Sequence, residues 1–282
     1  MKEPEYTLVS QGPIRAYRVS IGRFEFLTPA LALPRPGGRR VVYAERVVVA
    51  TRGRGAVRRL ASRLRGAKAP VVEVVLDTSL GFDAEIVAEL GRVAASECPE
   101  ASYCLPPVLV GGPPRLYERL LRSYWEAGGV GASLPLSFPE EWWRVLDAWD
   151  GRGFVVCDAA RRGWASVAGE AAKLREAIDA PIYVLNYYRG GPVPRPAHEL
   201  LFFRYGFDIL GYTRPPLRQL RALLASVRES RRVGLDPEKP VYVEGGAPFE
   251  EVAEALLEKL LEEIEGGAPA ARPEATGVTL AR

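Results

Sequence analysis

The chain has few of the residues that form metal sites and hydrolase triads. Among its 282 residues it has one histidine, His198, and three cysteines, Cys98, Cys104 and Cys157. No CxxC pair is present, so nothing indicates a zinc ribbon or finger, and we expect no metal site. A Ser-His-Asp triad would have to use His198, and the chain has no nucleophile elbow to accompany it. We expect Cys98 and Cys104 to be buried thiols, with a disulfide as the alternative.

Long apolar runs are also missing, which argues against a membrane protein. The opening "MKEPEYTLVS" has no apolar central region, so it does not resemble a signal peptide. Hydrophobic residues make up 48% of the chain and charged residues 26%, enough for a sizeable core under an ordinary polar surface. We therefore expect a cytoplasmic protein with no membrane contact.

Lysine and methionine are scarce, and the net charge is only +3. Most cations are arginines, whose planar fork suits phosphate recognition, although a GC-rich genome explains much of the same bias. Many prolines and arginines together with a single methionine are compatible with a thermophilic source.

Short apolar, β-branched runs alternate with longer amphipathic ones along most of the chain, which predicts eight consecutive strand–helix units. This pattern is typical of a closed (β/α)₈ TIM barrel, with an open doubly wound α/β sheet as the alternative. The third strand is the weakest, because Pro106 and Pro107 interrupt it. The predicted strands cover residues 45–51, 70–78, 103–112, 130–137, 153–159, 181–188, 207–213 and 240–246.

We expect one domain over residues 1–267, followed by a flexible tail at 268–282. Residues 6–40 alternate well enough to form an N-terminal β-hairpin extension across the bottom or side of the barrel. In the helix predicted after residue 139, Trp142, Val145, Leu146 and Trp149 share one face. That face is either core or an oligomer patch, so a homo-oligomer stays open.

Reactive side chains of a TIM barrel stand at the carboxyl ends of its strands, which selects a short set of candidates. Asp77, Asp158 and Glu244 each follow an apolar run directly and are the candidate catalytic carboxylates. The other interpretation is that each caps the next helix or forms an ion pair at the rim. The candidates for substrate binding at the same rim are Asn186, Tyr188, Arg189, Tyr212 and Arg214.

Arginines concentrate in residues 35–65 and 214–232, and each set is either a phosphate footprint for RNA or a solvated helix face. The candidate RNA-binding residues in the two sets are Arg39, Arg40, Arg58, Arg59, Arg218 and Arg221. "YYRGGPVPRPAH" (187–198) is long for a loop after a strand. Its tyrosines and Arg189 either stack on a base or pack on the rim.

Several segments together resemble the tRNA-guanine transglycosylase superfamily, including the related domain of archaeosine synthases. "GRFEFLTPALALP" (22–34) resembles the opening stretch of the family. "VVLDTSLGF" (74–82) resembles a family strand that ends in Asp-Ser-Gly-Gly-Phe. "HELLFFRYGFDILGYTRP" (198–215) resembles a helix followed by Gly-Val-Asp-x-Phe-Asp. The similarity touches most of residues 14–215.

The resemblance implies a barrel that acts on or binds tRNA during 7-deazaguanine modification, with Asp77 at the acid/base position. It also implies that base exchange is lost. Gly206 and Asp208 match the family motif, so Gly211 falls where the nucleophilic aspartate stands. Glycine cannot form the covalent sugar intermediate. The base-recognising aspartate would fall near Gly111, and the family's zinc site has no counterpart.

We therefore expect a transglycosylase-like protein of archaeal type without base exchange. It would bind tRNA or a 7-deazaguanine base, or serve as a subunit with a protein partner in tRNA modification; no cofactor is indicated. The alternative is an independent barrel enzyme that uses Asp77, Asp158 and Glu244 as acid/base groups or metal ligands. Arg189 and Arg214 would then hold an anionic substrate. A scaffold without a small-molecule site is the third hypothesis.

Overall fold

A computed structural model describes residues 1–11, 15–34, 39–136, 141–159, 164–187 and 206–212. Several sequence-based predictions lie outside these residues, among them the eighth strand at 240–246 and the tail at 268–282. In the described part of the chain, no helix has the length and apolar character needed to cross a membrane.

The described chain forms twelve strands and five helices in an order that begins with strands alone and then alternates. The first part is β1 (Glu5–Gln11), β2 (Arg15–Ile21), β3 (Phe24–Leu27), β4 (Ala30–Leu33) and β5 (Val41–Ala50). The second part is α1 (Gly55–Gly66), β6 (Val71–Asp77), α2 (Ala84–Ser96), β7 (Tyr103–Cys104), β8 (Val108–Val110), α3 (Arg115–Glu126), β9 (Ala132–Pro135), α4 (Trp142–Leu146), β10 (Val155–Asp158), α5 (Trp164–Ala177), β11 (Ile182–Tyr187) and β12 (Ile209–Tyr212).

Nine of these strands form one parallel sheet, in the order β7-β6-β5-β4-β12-β11-β10-β9, with β8 also paired to β6. β7 and β8 share one position in the sheet on either side of Pro106 and Pro107, which confirms the predicted interruption. The two ends of the sheet curl together and meet through side chains. Ser133 Oγ donates to the carbonyl of Pro107 at 2.7 Å, and the Tyr103 hydroxyl donates to the carbonyl of Val130 at 3.0 Å. The fold is the predicted TIM barrel.

The start of the barrel differs from the sequence-based assignment. The sequence predicts a hairpin outside the barrel for residues 6–40, and β1, β2 and β3 do form a separate antiparallel sheet. β4, however, pairs in parallel with both β12 and β5 and is therefore a barrel strand. It fills the position beside β12 that was expected for residues 240–246. The sequence does not predict β4, because this strand is only four residues long and its Ala-Leu-Ala-Leu sequence shows no polar alternation.

Two apolar layers hold the barrel together. The inward layer includes Val42, Ala44 and Val75, and it continues into the three-stranded sheet through Val19 and Phe26. The outward layer joins the strands to the helices, which explains why the parallel strands are apolar on both faces. Trp142 and Val145 are buried in this layer, with Leu146 and Trp149 packed against it. The apolar face of that helix is therefore core.

The two cysteines expected as buried thiols, Cys98 and Cys104, form a disulfide instead. A turn after α2, closed by the hydrogen bond from Ser102 N to the Pro99 carbonyl, returns the chain to β7. The turn brings the two Cα atoms to 5.8 Å, within the range that a disulfide requires. Cys157 is the free, buried cysteine.

A buried ion pair fixes the entrance to β12. Asp208 is 1% exposed and pairs with the guanidinium of Arg175 from α5. Arg175 also donates to the Gly206 carbonyl, with Nη2 at 2.7 Å, and the Asp208 carboxylate accepts from Ile182 N at 2.7 Å. Burial raises the pKa of Asp208 to about 6, and Arg175 opposes this shift. Asp208 is thus a structural residue at the amino end of its strand.

Reduction of the Cys98–Cys104 disulfide should lower the free energy of unfolding by about 2 kcal/mol, because a short cross-linked loop restricts the unfolded chain. Denaturant unfolding with and without reductant measures this change. The Cys157→Ala variant should respond to reductant as the unaltered chain does. An unchanged midpoint, with the disulfide shown to be present by mass spectrometry, would contradict the expectation.

The Asp208 carboxyl should titrate near pH 6 in the folded chain. The unfolded chain releases this proton near 3.8, so the group stabilises the fold fully below that pH. Its contribution is lost as the pH rises to about 6. Carbon-detected NMR of the carboxyl carbon measures the midpoint. Arg175→Met should move the midpoint upward, because it removes the opposing cation; a midpoint below 4 in the unaltered chain would overturn this account.

Candidate functional site

The carboxyl ends of the barrel strands form the mouth, and three predicted site residues lie there in described positions. Asp77 ends β6, Asp158 ends β10, and Asn186 lies one residue before the end of β11. Tyr212 ends β12, but its side chain is outside the described part. The other predicted mouth residues are also outside it, namely Glu244, Tyr188, Arg189 and Arg214.

The two described catalytic candidates have different partners. Asp158 is buried, and its Oδ1 accepts from Asn186 Nδ2 at 2.8 Å. Asp77 is partly exposed, and its Oδ1 accepts from Ser79 N at 2.9 Å in a turn after β6. This bond closes a turn, and the cap of the next helix, α2, is Asp83 rather than Asp77. In the described ranges, no cluster of three or more acidic, histidine or cysteine side chains could hold a metal ion.

A polar network crosses the inside of the barrel below these residues. Arg46 on β5 lies opposite Glu73 on β6, and Arg46 Nε donates to Glu73 Oε2 at 2.6 Å. The Tyr183 hydroxyl on β11 donates to Glu73 Oε1 at 2.7 Å. Arg46 Nη1 lies 3.4 Å from Asn186 Oδ1, and Asn186 leads on to Asp158. Four strands are thereby linked through side chains.

Burial governs the chemistry of this network. The Glu73 side chain is 5% exposed, so its charge depends on Arg46 and Tyr183 for compensation. Burial, reinforced by the negative charge of Glu73, raises the pKa of Tyr183 well above its ordinary value. Tyr183 therefore keeps its proton and remains a donor to the carboxylate.

Gly211 lies directly against the Glu73 carboxylate. A Cβ at this position would stand 2.7 Å from Glu73 Oε1 and 3.0 Å from both Leu185 Cδ2 and Tyr183 Cε1. Atoms this close cannot coexist without a shift of the network. Glycine is therefore required by packing at the position where the family resemblance would put an aspartate.

Sequence reasoning missed Arg46 and Glu73, although the sequence carries a signal for both. Each is a single charged residue inside an otherwise apolar strand, in "AERVVVA" and "VVEVVLD". A lone charge in a strand buried on both faces requires a partner, and a neighbouring strand with the opposite charge supplies one.

The predicted RNA-binding arginines separate into two groups. Arg39 and Arg40 precede β5 and lie at the amino end of the barrel, where Arg40 Nη1 donates to the Thr28 carbonyl at 2.8 Å. Arg58 and Arg59 are exposed near the start of α1, on the mouth side. The structure does not bring these four residues onto one surface. Arg218 and Arg221 are outside the described part.

An exposed groove lies at the rim between the loop after β5 and the loop after β6. Its volume is about 480 Å³, and its cationic wall carries Arg52 and Arg54. The other wall presents Leu80 and Phe82, which are 64% and 47% exposed. The sequence indicates an arginine-rich segment at 35–65 and a family-like segment at 74–82, but it does not predict that the apolar side chains face solvent beside the arginines.

No protein-family model and no curated protein matches the chain. Similar solved structures include a "putative phosphonomutase" from Burkholderia cenocepacia J2315, at 14% identity over 69% of this chain and 69% of that chain, with a TM-score of 0.32. A "putative fructose-1,6-biphosphate aldolase" from Coccidioides immitis has 15% identity, coverage of 81% and 82%, and a TM-score of 0.36. A "putative lyase/mutase" from Burkholderia cenocepacia J2315 has 14% identity, coverage of 82% and 94%, and a TM-score of 0.27. Similarity this low carries no argument about activity.

Gly211→Ala should destabilise the chain by about 1–3 kcal/mol, because the added methyl group overpacks the Glu73 carboxylate. Urea unfolding measures the loss. Gly66→Ala is the matched control: a Cβ there would meet nothing within 4 Å, and alanine is the better helix former. Equal stability of the two variants would refute the packing account of Gly211.

Proposed function

We propose that this protein is a transglycosylase-like barrel that binds tRNA or a 7-deazaguanine base at its mouth and does not exchange bases. It would act in tRNA modification in a thermophilic archaeon, in the cytoplasm and with a protein partner. The buried disulfide is compatible with this source, since intracellular disulfides are common in hyperthermophiles.

The observation that carries the proposal is the composition of the rim groove. Single-stranded nucleic acids are held by aromatic side chains that stack on bases and by cations that neutralise phosphates. Phe82 and Leu80 supply an exposed apolar surface, and Arg52 and Arg54 supply the adjacent positive charge. Asp83 also lines the groove, where its carboxylate caps α2. The apolar wall belongs to the same segment, 74–82, that resembles the transglycosylase motif.

Gly211 supports the absence of base exchange. The family mechanism needs a carboxylate on this strand as a nucleophile. Glu73 does bring a carboxylate to this place, but Arg46 and Tyr183 hold both of its oxygens in a buried site. A carboxylate so bonded is a poor nucleophile, because attack would break both bonds and leave Arg46 without its counter-ion.

The competing proposal of an independent barrel enzyme receives less support. It requires Asp77 and Asp158 to act at one place, and the two have separate partners. Asp77 is bonded within its own turn, and Asp158 belongs to the interior network. We therefore place the binding function first.

An unmodified tRNA transcript should bind the full chain in a fluorescence anisotropy titration, and its affinity should fall as salt rises. Phe82→Ala should weaken binding about 5- to 150-fold, through the loss of base stacking. Arg52→Ala and Arg54→Ala should each lower the slope of log K against log salt by about 1.

Two matched variants control for unspecific effects. Trp143→Ala removes an aromatic side chain that is 58% exposed on α4, and Arg23→Ala removes an exposed arginine from the turn between β2 and β3. Both should bind tRNA as the unaltered chain does. No tRNA affinity at low salt, or equal losses in the groove variants and the controls, would overturn the proposal.

A further inference from the structure

A pocket on the three-stranded sheet takes no part in the proposed function. It lies beside β3, at the edge of this sheet, and its volume is about 250 Å³. The described residues that line it are Arg18, Glu25, Phe26, Leu27 and Arg39. Two arginines and one glutamate thus border one pocket, and all three are exposed to solvent.

The charged side chains of this pocket are not used by the chain itself. The neighbouring Arg15 pairs with Asp179 at 3.0 Å. In the described ranges, no hydrogen bond or ion pair engages the side chains of Arg18, Glu25 or Arg39. Arg18 and Glu25 lie diagonally on paired strands, within reach of each other, and still form no ion pair. Their charges therefore remain available to a ligand.

The fold places the two arginines on opposite sides of Leu27. Arg18 on β2 lies opposite Leu27 on β3, and Leu27 N donates to the Arg39 carbonyl at 2.7 Å. Neighbouring strands lie about 4.8 Å apart, so the backbones of Arg18 and Arg39 are roughly 10 Å apart with Leu27 between them. At this separation two long side chains can approach one anion from either side.

Alternation along the strands directs the lining side chains away from the barrel. Val19 and Phe26 are buried in the inward layer, so Arg18, Glu25 and Leu27 face outward. The backbone adds a donor beside them. Because Leu27 N–H points away from β2, the alternation of an antiparallel pair directs the Glu25 N–H the same way.

The charges of the described lining restrict the class of ligand. A guanidinium forms paired hydrogen bonds with the oxygens of a carboxylate or a phosphate group, so Arg18 and Arg39 favour an oxyanion. The Glu25 carboxylate repels a ligand that carries negative charge alone, whereas it attracts an ammonium group. A small zwitterion satisfies all three side chains, and its carbon atoms can contact Leu27.

We propose that Arg18, Glu25 and Arg39 form a binding site for a small zwitterionic ligand. Its carboxylate or phosphate group lies between the two arginines, and its ammonium group lies at Glu25. This zwitterion site is on the outer face of the three-stranded sheet, so it does not depend on the tRNA binding proposed at the mouth.

Two matched pairs of probes test the zwitterion site in NMR titrations of the full chain. Phosphoethanolamine and ethyl phosphate share a phosphate group, and β-alanine and propionate share a carboxylate. Only the first member of each pair carries an ammonium group. In the pair with the preferred oxyanion, this member should bind about two- to fivefold more tightly, as an exposed ion pair contributes. No binding of any probe, or no preference in either pair, would overturn the proposal.

Variants then assign the contacts. Arg18→Gln and Arg39→Gln should each weaken binding of the preferred probe by about fivefold or more, through the loss of hydrogen bonds to the oxyanion. Glu25→Gln should retain the binding of ethyl phosphate or propionate and abolish the preference for the ammonium group. Arg23→Gln alters an exposed arginine in the turn between β2 and β3 and is the matched control. Equal losses in Arg23→Gln, or a retained preference in Glu25→Gln, would refute the site.

The tRNA titration separates this inference from the proposed function, and Arg18→Gln should leave tRNA affinity unchanged. Affinity for tRNA without a preference in either probe pair overturns only the zwitterion site. A preference for the ammonium group without tRNA affinity overturns only the proposed function. Loss of tRNA affinity in Arg18→Gln, with displacement of the probes by tRNA, would show that the pocket holds an RNA phosphate and would also refute the zwitterion site.

Discussion

The ion pair between Arg46 and Glu73 is the interaction on which the interior of the barrel depends. Two opposite charges lie at paired positions on neighbouring strands, in a region that is otherwise apolar. Removing charges from water costs several kcal/mol per ion unless each is well bonded. The remaining interior residues meet part of this requirement, since the Tyr183 hydroxyl donates to Glu73 Oε1 and Asn186 Oδ1 accepts from Arg46 Nη1. A polar pair thereby fixes the relative positions of β5, β6 and β11.

The structural role of Gly211 follows from its contact with the Glu73 carboxylate of this pair. From the sequence alone, Gly211 is expected to replace a nucleophile, because the proposed family resemblance would put an aspartate there. In the structure it is the residue whose missing side chain admits the Glu73 carboxylate. A barrel can place a carboxylate on β12 or bring one from β6 to the same place, but the contact distances exclude both together.

Local pattern was sufficient for the parts of the fold that depend on local periodicity. The strand–helix alternation, the break at Pro106 and Pro107, and the core face of Trp142 all follow from residues within one element. β4 and the Cys98–Cys104 disulfide depend on which segments meet in space, and neither leaves a periodic trace in the sequence. The site divides in the same way. Asp158 and Asn186 can be predicted as mouth residues from their places at strand ends. The role of Glu73 can be recognised only once Arg46 is known to lie beside it.

Arginines have different roles at the two ends of the barrel. At the amino end, the three-stranded sheet extends the interior layer, and the Arg175–Asp208 pair fixes the chain before β12. Arg40 is likewise used to bond a backbone carbonyl there. At the mouth, Arg52 and Arg54 border a groove with exposed apolar side chains. Arg58 and Arg59 lie about 5–6 Å along the axis of α1 from the helix end at the mouth, since each residue advances the helix by about 1.5 Å. An arginine-rich segment of the sequence therefore does not define one surface, because its arginines divide between the two ends of the barrel, and of these Arg52 and Arg54 line the groove.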